Sequence, residues 1–166
     1  MPLNNFNRIL TWGDFTPQQG QPGGANEYAQ IHPDTTLTNL RMGRNGRSVT
    51  IASLNVTIRL IPSDCWVVVS RKTDELLKHE QGHYDIMAIA ARTLYNRLLT
   101  LSENSVRDLQ NYMNDIWENF RTNVRNADSR YDTQTNHGIN TTVQQSWDRA
   151  IGTVKANPNG VLTDLP

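Results

Sequence analysis

The chain has 166 residues, about one domain's worth, with 37% hydrophobic residues and 16 basic side chains against 16 acidic ones. A formal net charge of zero argues against a dedicated nucleic-acid binder or a basic membrane-surface protein, and no stretch approaches the roughly 18 apolar residues that a spanning helix needs. The single cysteine, Cys65, excludes an intrachain disulfide and a cysteine-based zinc knuckle.

The first half reads as sheet. Residues 9–12 form a strand candidate ending at Gly13, and a loop rich in Pro, Gly and Gln follows over residues 16–24. Residues 26–31 are a further strand candidate. Residues 36–42 and 47–60 flank Asn45-Gly46, a type I′ hairpin signal because both central turn positions tolerate positive φ. In the second arm Val49 and Ile51 alternate with polar residues, and Leu54, Val56, Ile58 and Leu60 do so in the opposite phase. A bulge near Ala52-Ser53 would reset the face. Pro62-Ser63-Asp64 ends that arm, and residues 66–69 read as a short buried strand.

From Thr73 the period changes. Thr73 is a plausible N-cap, with Asp74 and Glu75 in the first turn, where the helix dipole favours anions. Leu76, His83, Ile86, Met87, Ala90 and Leu94 share one face of a helix running to about Leu101. Ser102 or Ser105 restarts a second helix with the stripe Val106, Leu109, Met113, Ile116, Trp117, Phe120 and Val124, which reads as core. The short connection makes the two helices antiparallel neighbours. A polar stretch covers residues 126–138. Thr141-Thr142-Val143-Gln144 resembles a capping box opening a third helix, with Val143, Trp147 and Ile151 on one face. The tail beyond Asn157 is expected to fray. The expected fold class is α+β: an N-terminal antiparallel β-sheet packed on an antiparallel helix pair, plus a C-terminal helix. It forms a single domain with a core over residues 10–155 and a tail over 156–166.

The chemistry concentrates in His79-Glu80-Gln81-Gly82-His83, an HExxH pattern on the first helix. Residues four apart lie about 40° from each other around a helix, so the two imidazoles project side by side and can share one zinc ion. Glu80, offset by about 100°, can reach water at such an ion without being a ligand, as a general base. A catalytic zinc site needs a third protein ligand. His137, just before Gly138, is the leading candidate. His32 is a second, and an acid on the second helix (Glu103, Asp108, Asp115 or Glu118) is a third. Asp85 or Asp132 could accept the remaining N–H of a ligand imidazole. Tyr84 or Tyr131 could stabilise an oxyanion, with Tyr131 preferred. Gly82, costly inside a helix by about 1 kcal/mol, marks a place where another group comes close.

At these residues the chain resembles a bacterial domain-of-unknown-function family described as predicted zinc-dependent proteases. The resemblance rests on the run from Leu76 to Ile86 with Ala90-Ala91-Arg92. It extends to Tyr131-Asp132, Thr135, His137-Gly138, Gln144, Gln145 and Trp147, and to Trp12-Gly13-Asp14-Phe15 and Trp66. It implies a zincin-like peptidase with His79 and His83 as ligands, Glu80 as base and His137 as third ligand. Many such proteins are envelope proteins with leaders. The N-terminus MPLNNFNRIL has no basic region followed by an apolar run, so no classical signal peptide is expected. The expected location is then the cytoplasm, or the outside by a non-classical route, which makes the chain a candidate effector or toxin carried by an export or injection machine.

The function expected from these readings is a zinc metallopeptidase acting on a protein or peptide substrate, as a monomer, with no nucleic-acid partner and no membrane insertion. A zinc amidase acting on cell-wall peptides, or a zinc-stapled interaction module without turnover, are the alternatives. Arg41, Arg44 and Arg47 around the hairpin tip read as a solvated turn.

Overall fold

The computed structural model describes residues 1–22 and 27–166. Strands β4 (Pro33–Asn45) and β5 (Ser48–Leu60) form the long antiparallel hairpin that the sequence marks. Asn45 pairs with Ser48, so the turn is Gly46-Arg47 rather than Asn45-Gly46. Only its first residue, Gly46, has positive φ (61°), which is the type II′ pattern and not type I′. The bulge is present: Arg41 faces Ser53 and Met42 faces Ile51, leaving Ala52 unopposed. Val49 and Ile51 before it, and Leu54, Val56 and Ile58 after it, are all buried. The extra residue thus keeps one face apolar along the whole arm.

Two short segments add to β5: β1 (Leu3–Asn4) runs parallel to it and β7 (Ser102–Glu103) antiparallel. A second sheet places β6 (Trp66–Val68) between β2 (Thr16–Gln18), parallel, and β3 (Ala29–Gln30), antiparallel. Both sheets are therefore mixed: β1 lies parallel beside the second arm of the hairpin, and β2 lies parallel beside β6. The expected loop over residues 16–24 opens as β2. Its end, and the start of the strand expected over residues 26–31, fall on residues 23–26, outside the described residues. Residues 9–12 are not a strand. The N–H of Leu10 donates to Gln81 Oε1 (2.8 Å) and that of Thr11 to Asp14 Oδ2 (2.8 Å), so side chains take the ladder donors and Trp12–Asp14 forms a 3-10 turn.

Three helices follow. In α1 (Asp74–Leu99), Thr73 caps as expected, its Oγ1 accepting from the Leu76 N–H at 3.1 Å. Helix α2 (Val106–Thr135) starts at the Ser105 cap and is 30 residues long, running antiparallel to α1 and far into the polar stretch. Its buried stripe continues past Phe120 through Ala127, Tyr131 and Thr135 at helical spacing, while Val106, expected on the stripe, is exposed. Helix α3 (Thr141–Ala156) is capped by the side chain of Asn140, which accepts from the Val143 N–H at 3.3 Å; Thr141 is already inside the helix. The core lies between the inner face of β5 and α1, with α2 and α3 closing it. Among the described residues, no helix is long and apolar enough to cross a membrane.

The C-terminal tail docks instead of fraying. Leu162 and Leu165 are buried, and the guanidinium of Arg92 donates to the carbonyls of Val154 (2.8 Å), Lys155 (2.7 Å) and Gly160 (2.9 Å). It thereby satisfies the end of α3 and ties the tail to α1. Helices α1 and α2 come together at Gly82, where a Cβ would sit 2.2 Å from the Tyr131 hydroxyl and 2.6 Å from the ring carbon bearing it. The group that approaches Gly82 is thus a buried phenol.

Two stability measurements check this packing. Arg92→Ala should lower unfolding free energy in urea by about 3 kcal/mol and open the tail to limited proteolysis, since three carbonyls, two of them in buried hydrogen bonds, lose a charged donor. Gly82→Ala should destabilise by about 2 kcal/mol, because overpacking against Tyr131 exceeds the gain in helix propensity.

Candidate metal centre

His79, Glu80 and His83 lie in the first turns of α1 and are all buried. Helical spacing sends both imidazoles toward the last turns of α2. Their Nε2 atoms are 3.2 Å apart, and Asp132 Oδ1 from α2 lies 3.1 Å from each of them. On the far sides of the rings, His79 Nδ1 is 3.0 Å from Gln144 Oε1 and His83 Nδ1 is 2.6 Å from Asp128 Oδ1. Gln144 donates its amide N–H groups to the Tyr131 hydroxyl (2.6 Å) and to Asp148 (2.8 Å), so its oxygen is the end that meets His79. Both Nδ1 atoms therefore donate, and in neutral rings both Nε2 atoms present lone pairs. Two nitrogen lone pairs and a carboxylate oxygen facing one point are reconciled only by a cation, a proton or a metal ion.

The titration tendencies agree with this geometry. Burial holds the His79 pKa below its usual value. Burial also works against charge on His83, but the Asp128 and Asp132 carboxylates outweigh it and hold its pKa well above the usual value. Asp132 is held below the usual carboxylate range, the two imidazoles overcoming its burial. Two groups of described residues could hold a metal ion, with ligand atoms within 4.8 Å of one another: His79, Asp132 and His137, and His83, Asp128 and Asp132. Asp132 belongs to both.

Glu80 points to the neighbouring side. It accepts from the Ile31 backbone N–H, while its Oε2 is buried without a hydrogen-bond partner. Burial pushes its pKa up to about 7. It faces a cavity of about 260 Å³ whose other wall is the segment from Tyr28 to His32, and His79, His83, Asp132 and His137 line the same space.

The turn after α2 brings in His137. Asn136, His137 and Gly138 take φ values of 50°, 53° and 79° in succession, and the His137 N–H donates to the Asp132 carbonyl at 3.1 Å. A left-handed histidine costs roughly 1–2 kcal/mol. Gly138 rests on the His79 ring, where a Cβ would meet its Cγ at 3.1 Å. His137 Nδ1 ends 3.4 Å from Asp132 Oδ1.

The structure thus brings His79, Glu80, His83 and His137 together. His32 lies on the cavity wall, but its Nδ1 faces Asp64 at 3.5 Å. Glu103 pairs with Val49 in the sheet and Asp108 is bonded to Ser105 at 2.7 Å; neither they nor Asp115 and Glu118 line the cavity. The acids of α2 that do reach the centre are Asp128 and Asp132, one turn apart and opposite the histidine pair. Sequence reasoning missed Asp128 and gave Asp132 only an outer position, because that stretch did not read as helix. Asp85 bonds Gln81 (3.0 Å) and Lys155 (2.7 Å) instead of an imidazole. Neither tyrosine expected to stabilise an oxyanion lines the cavity. The Tyr84 hydroxyl donates to the Asn5 carbonyl (2.8 Å) and that of Tyr131 to the His79 carbonyl (3.1 Å), so neither opens on the cavity. Tyr131 instead stacks on the His79 ring, with centroids 4.7 Å apart and planes at 18°, and fixes its orientation.

No curated protein and no solved structure matches the chain. A family model described as a bacterial protein of unknown function (DUF922) matches residues 14–138, a span that holds the helical histidines, both α2 aspartates and His137 but stops short of α3. That span is well over half of the sequence, and the chain belongs to this bacterial family.

Proposed function

We propose that the protein is a zinc-dependent hydrolase of peptide bonds, with His79 and His83 holding the ion through Nε2, Asp132 through Oδ1, and Glu80 as general base. The observation that carries this reading is the Glu80 carboxyl: it is buried next to the paired Nε2 atoms, on a residue that lines the cavity, and its Oε2 has no hydrogen-bond partner. A purely structural metal site has no use for such a group, whereas a general base has to stand next to the ion without being bound to it. Two imidazole nitrogens and one carboxylate oxygen suit zinc. Gln144 and Asp128 are the outer partners that fix the tautomers of ligand histidines. Bound there, zinc supplies Lewis acidity toward a water and a carbonyl group.

The chain's own residues account for the remaining steps. Glu80, oriented by the Ile31 N–H, accepts a proton at Oε2 as water adds to the carbonyl carbon. It releases that proton to the nitrogen as the C–N bond breaks. Burial keeps bulk water from competing for the carboxyl. A peptide suits the cavity because β3 is an edge strand among the described residues, and the extended segment around it forms the cavity wall. A substrate strand can add to such an edge through its main chain. Amide bonds in cell-wall peptides meet the same requirements, and assays on a casein-like protein beside peptidoglycan separate the two. A second reading follows from His137: were its Nδ1 to fill the fourth position, the centre would be closed and the domain a zinc-stapled module.

Two variants test the assignment. Glu80→Gln should retain stoichiometric zinc by metal analysis while its peptidase kcat falls roughly 10²- to 10⁴-fold, and undiminished turnover would remove Glu80 from the mechanism. Asp132→Ala should weaken zinc binding by at least about 100-fold and His137→Ala by about 10-fold or less, with the reverse order making His137 the third ligand.

A further inference from the structure

One turn further along α1, a second cavity of about 470 Å³ opens between α2 and the start of β4. It shares His83 and Asp128 with the metal centre, so an occupant would be continuous with a substrate held there. Its floor is apolar. Met87 comes from α1, and Trp117, Phe120 and Val124 come from α2, with the Trp117 and Phe120 rings stacked at 5.2 Å. Its rim on α2 is basic: Arg121 and Arg125 stand one turn apart, both exposed, with the Arg121 guanidinium over the Trp117 ring at 5.6 Å. The acids around the cavity are already engaged, Asp34 with Arg59 at 2.9 Å and Asp128 with His83 at 2.6 Å. On the remaining wall, His32 faces Asp64 at 3.5 Å. Among the described residues no salt bridge engages Arg121 or Arg125, so both positive charges are open to an external partner.

We propose that this cavity is a specificity subsite of the hydrolase. It takes a large apolar side chain of the peptide substrate close to the scissile bond, while Arg121 and Arg125 take a carboxylate on the adjacent residue. The position of the scissile bond rests on the reading of Glu80 and the histidines as a hydrolytic centre. The apolar floor and the basic rim stand independently of it. Removing a large apolar side chain from water is worth a factor of ten or more in affinity. The exposed arginines contribute less, a few-fold together, because solvent screens them.

The test uses zinc-loaded Glu80→Gln protein, to observe binding without turnover. Three fluorescein-labelled decapeptides differ only in a central pair, Phe-Glu, Ala-Glu or Phe-Lys, and are titrated by anisotropy. The Phe-Glu peptide should bind at least tenfold more tightly than Ala-Glu and about fivefold more tightly than Phe-Lys. Adding Trp117→Ala should collapse the Phe preference, and adding Arg121→Glu with Arg125→Glu should invert the preference for Glu over Lys. Both arginines are exposed, so that double change leaves the core intact. Equal binding of the three peptides, no binding of any, or preferences unchanged in these variants would overturn the subsite. Cleavage of a mixed peptide library by the wild-type protein, read by mass spectrometry, distinguishes the two levels. Cleavage without this preference leaves the hydrolase and removes the subsite, whereas selective binding with no cleavage leaves the subsite and removes the hydrolase.

Discussion

Two imidazole nitrogens and a carboxylate oxygen held within 3.2 Å of one another repel unless a positive charge lies among them. Most of the helical half of the molecule serves to keep them there. Gly82 leaves out a Cβ that would keep α2 from closing on α1, and the Tyr131 ring fills the space so released, against His79. Gln144 and Asp128 then set each ring's hydrogen on its far nitrogen. No single helix makes this centre. Its ligand atoms come together only once α1 and α2 have docked, so a metal ion bound there would also tie α1 to α2, with α3 joined through the Gln144 contact to His79.

The sheet half has a complementary task. The short mixed sheet lays the segment around β3 across the open side of Glu80, and the Ile31 N–H reaches the carboxyl from there. The lone cysteine helps to anchor that segment: the His32 N–H donates to Cys65 Sγ at 3.3 Å, the thiol donates to the Ile61 carbonyl at 3.2 Å, and the Ile61 N–H returns to the His32 carbonyl at 2.9 Å. Cys65 is thus a buried hydrogen-bonding residue of the scaffold. Both ends of the extended segment are thus tied to β6 or to the turn before it.

What was legible in the sequence was local. The phase change in β5 announced its bulge, Thr73 announced the start of α1, and the HExxH spacing placed both imidazoles on one side of that helix. What was not legible depended on distant partners. The parallel pairings of β1 and β2 follow from the chain's path and not from alternation. Leu10 and Thr11 have strand-like neighbours, but Gln81 and Asp14 capture their backbone donors. The last turns of α2 looked like loop because their stripe is reduced to Ala127, Tyr131 and Thr135 among polar residues. Those polar residues include the aspartates that face the histidines, so misreading the helix also hid half of the centre. The tail looked frayed because its anchor, Arg92, lies on α1 far earlier in the chain.

The unpartnered Glu80 oxygen has a consequence for how this fold can change over time. A buried carboxyl without a full set of partners weakens the molecule that carries it, and a leucine or glutamine in its place would give a sturdier chain. Pressure for robustness alone would therefore erase it. On the proposed hydrolase reading, descendants without turnover should betray themselves at this one position, by a neutral side chain and a higher melting temperature, while the histidine pair beside it persists.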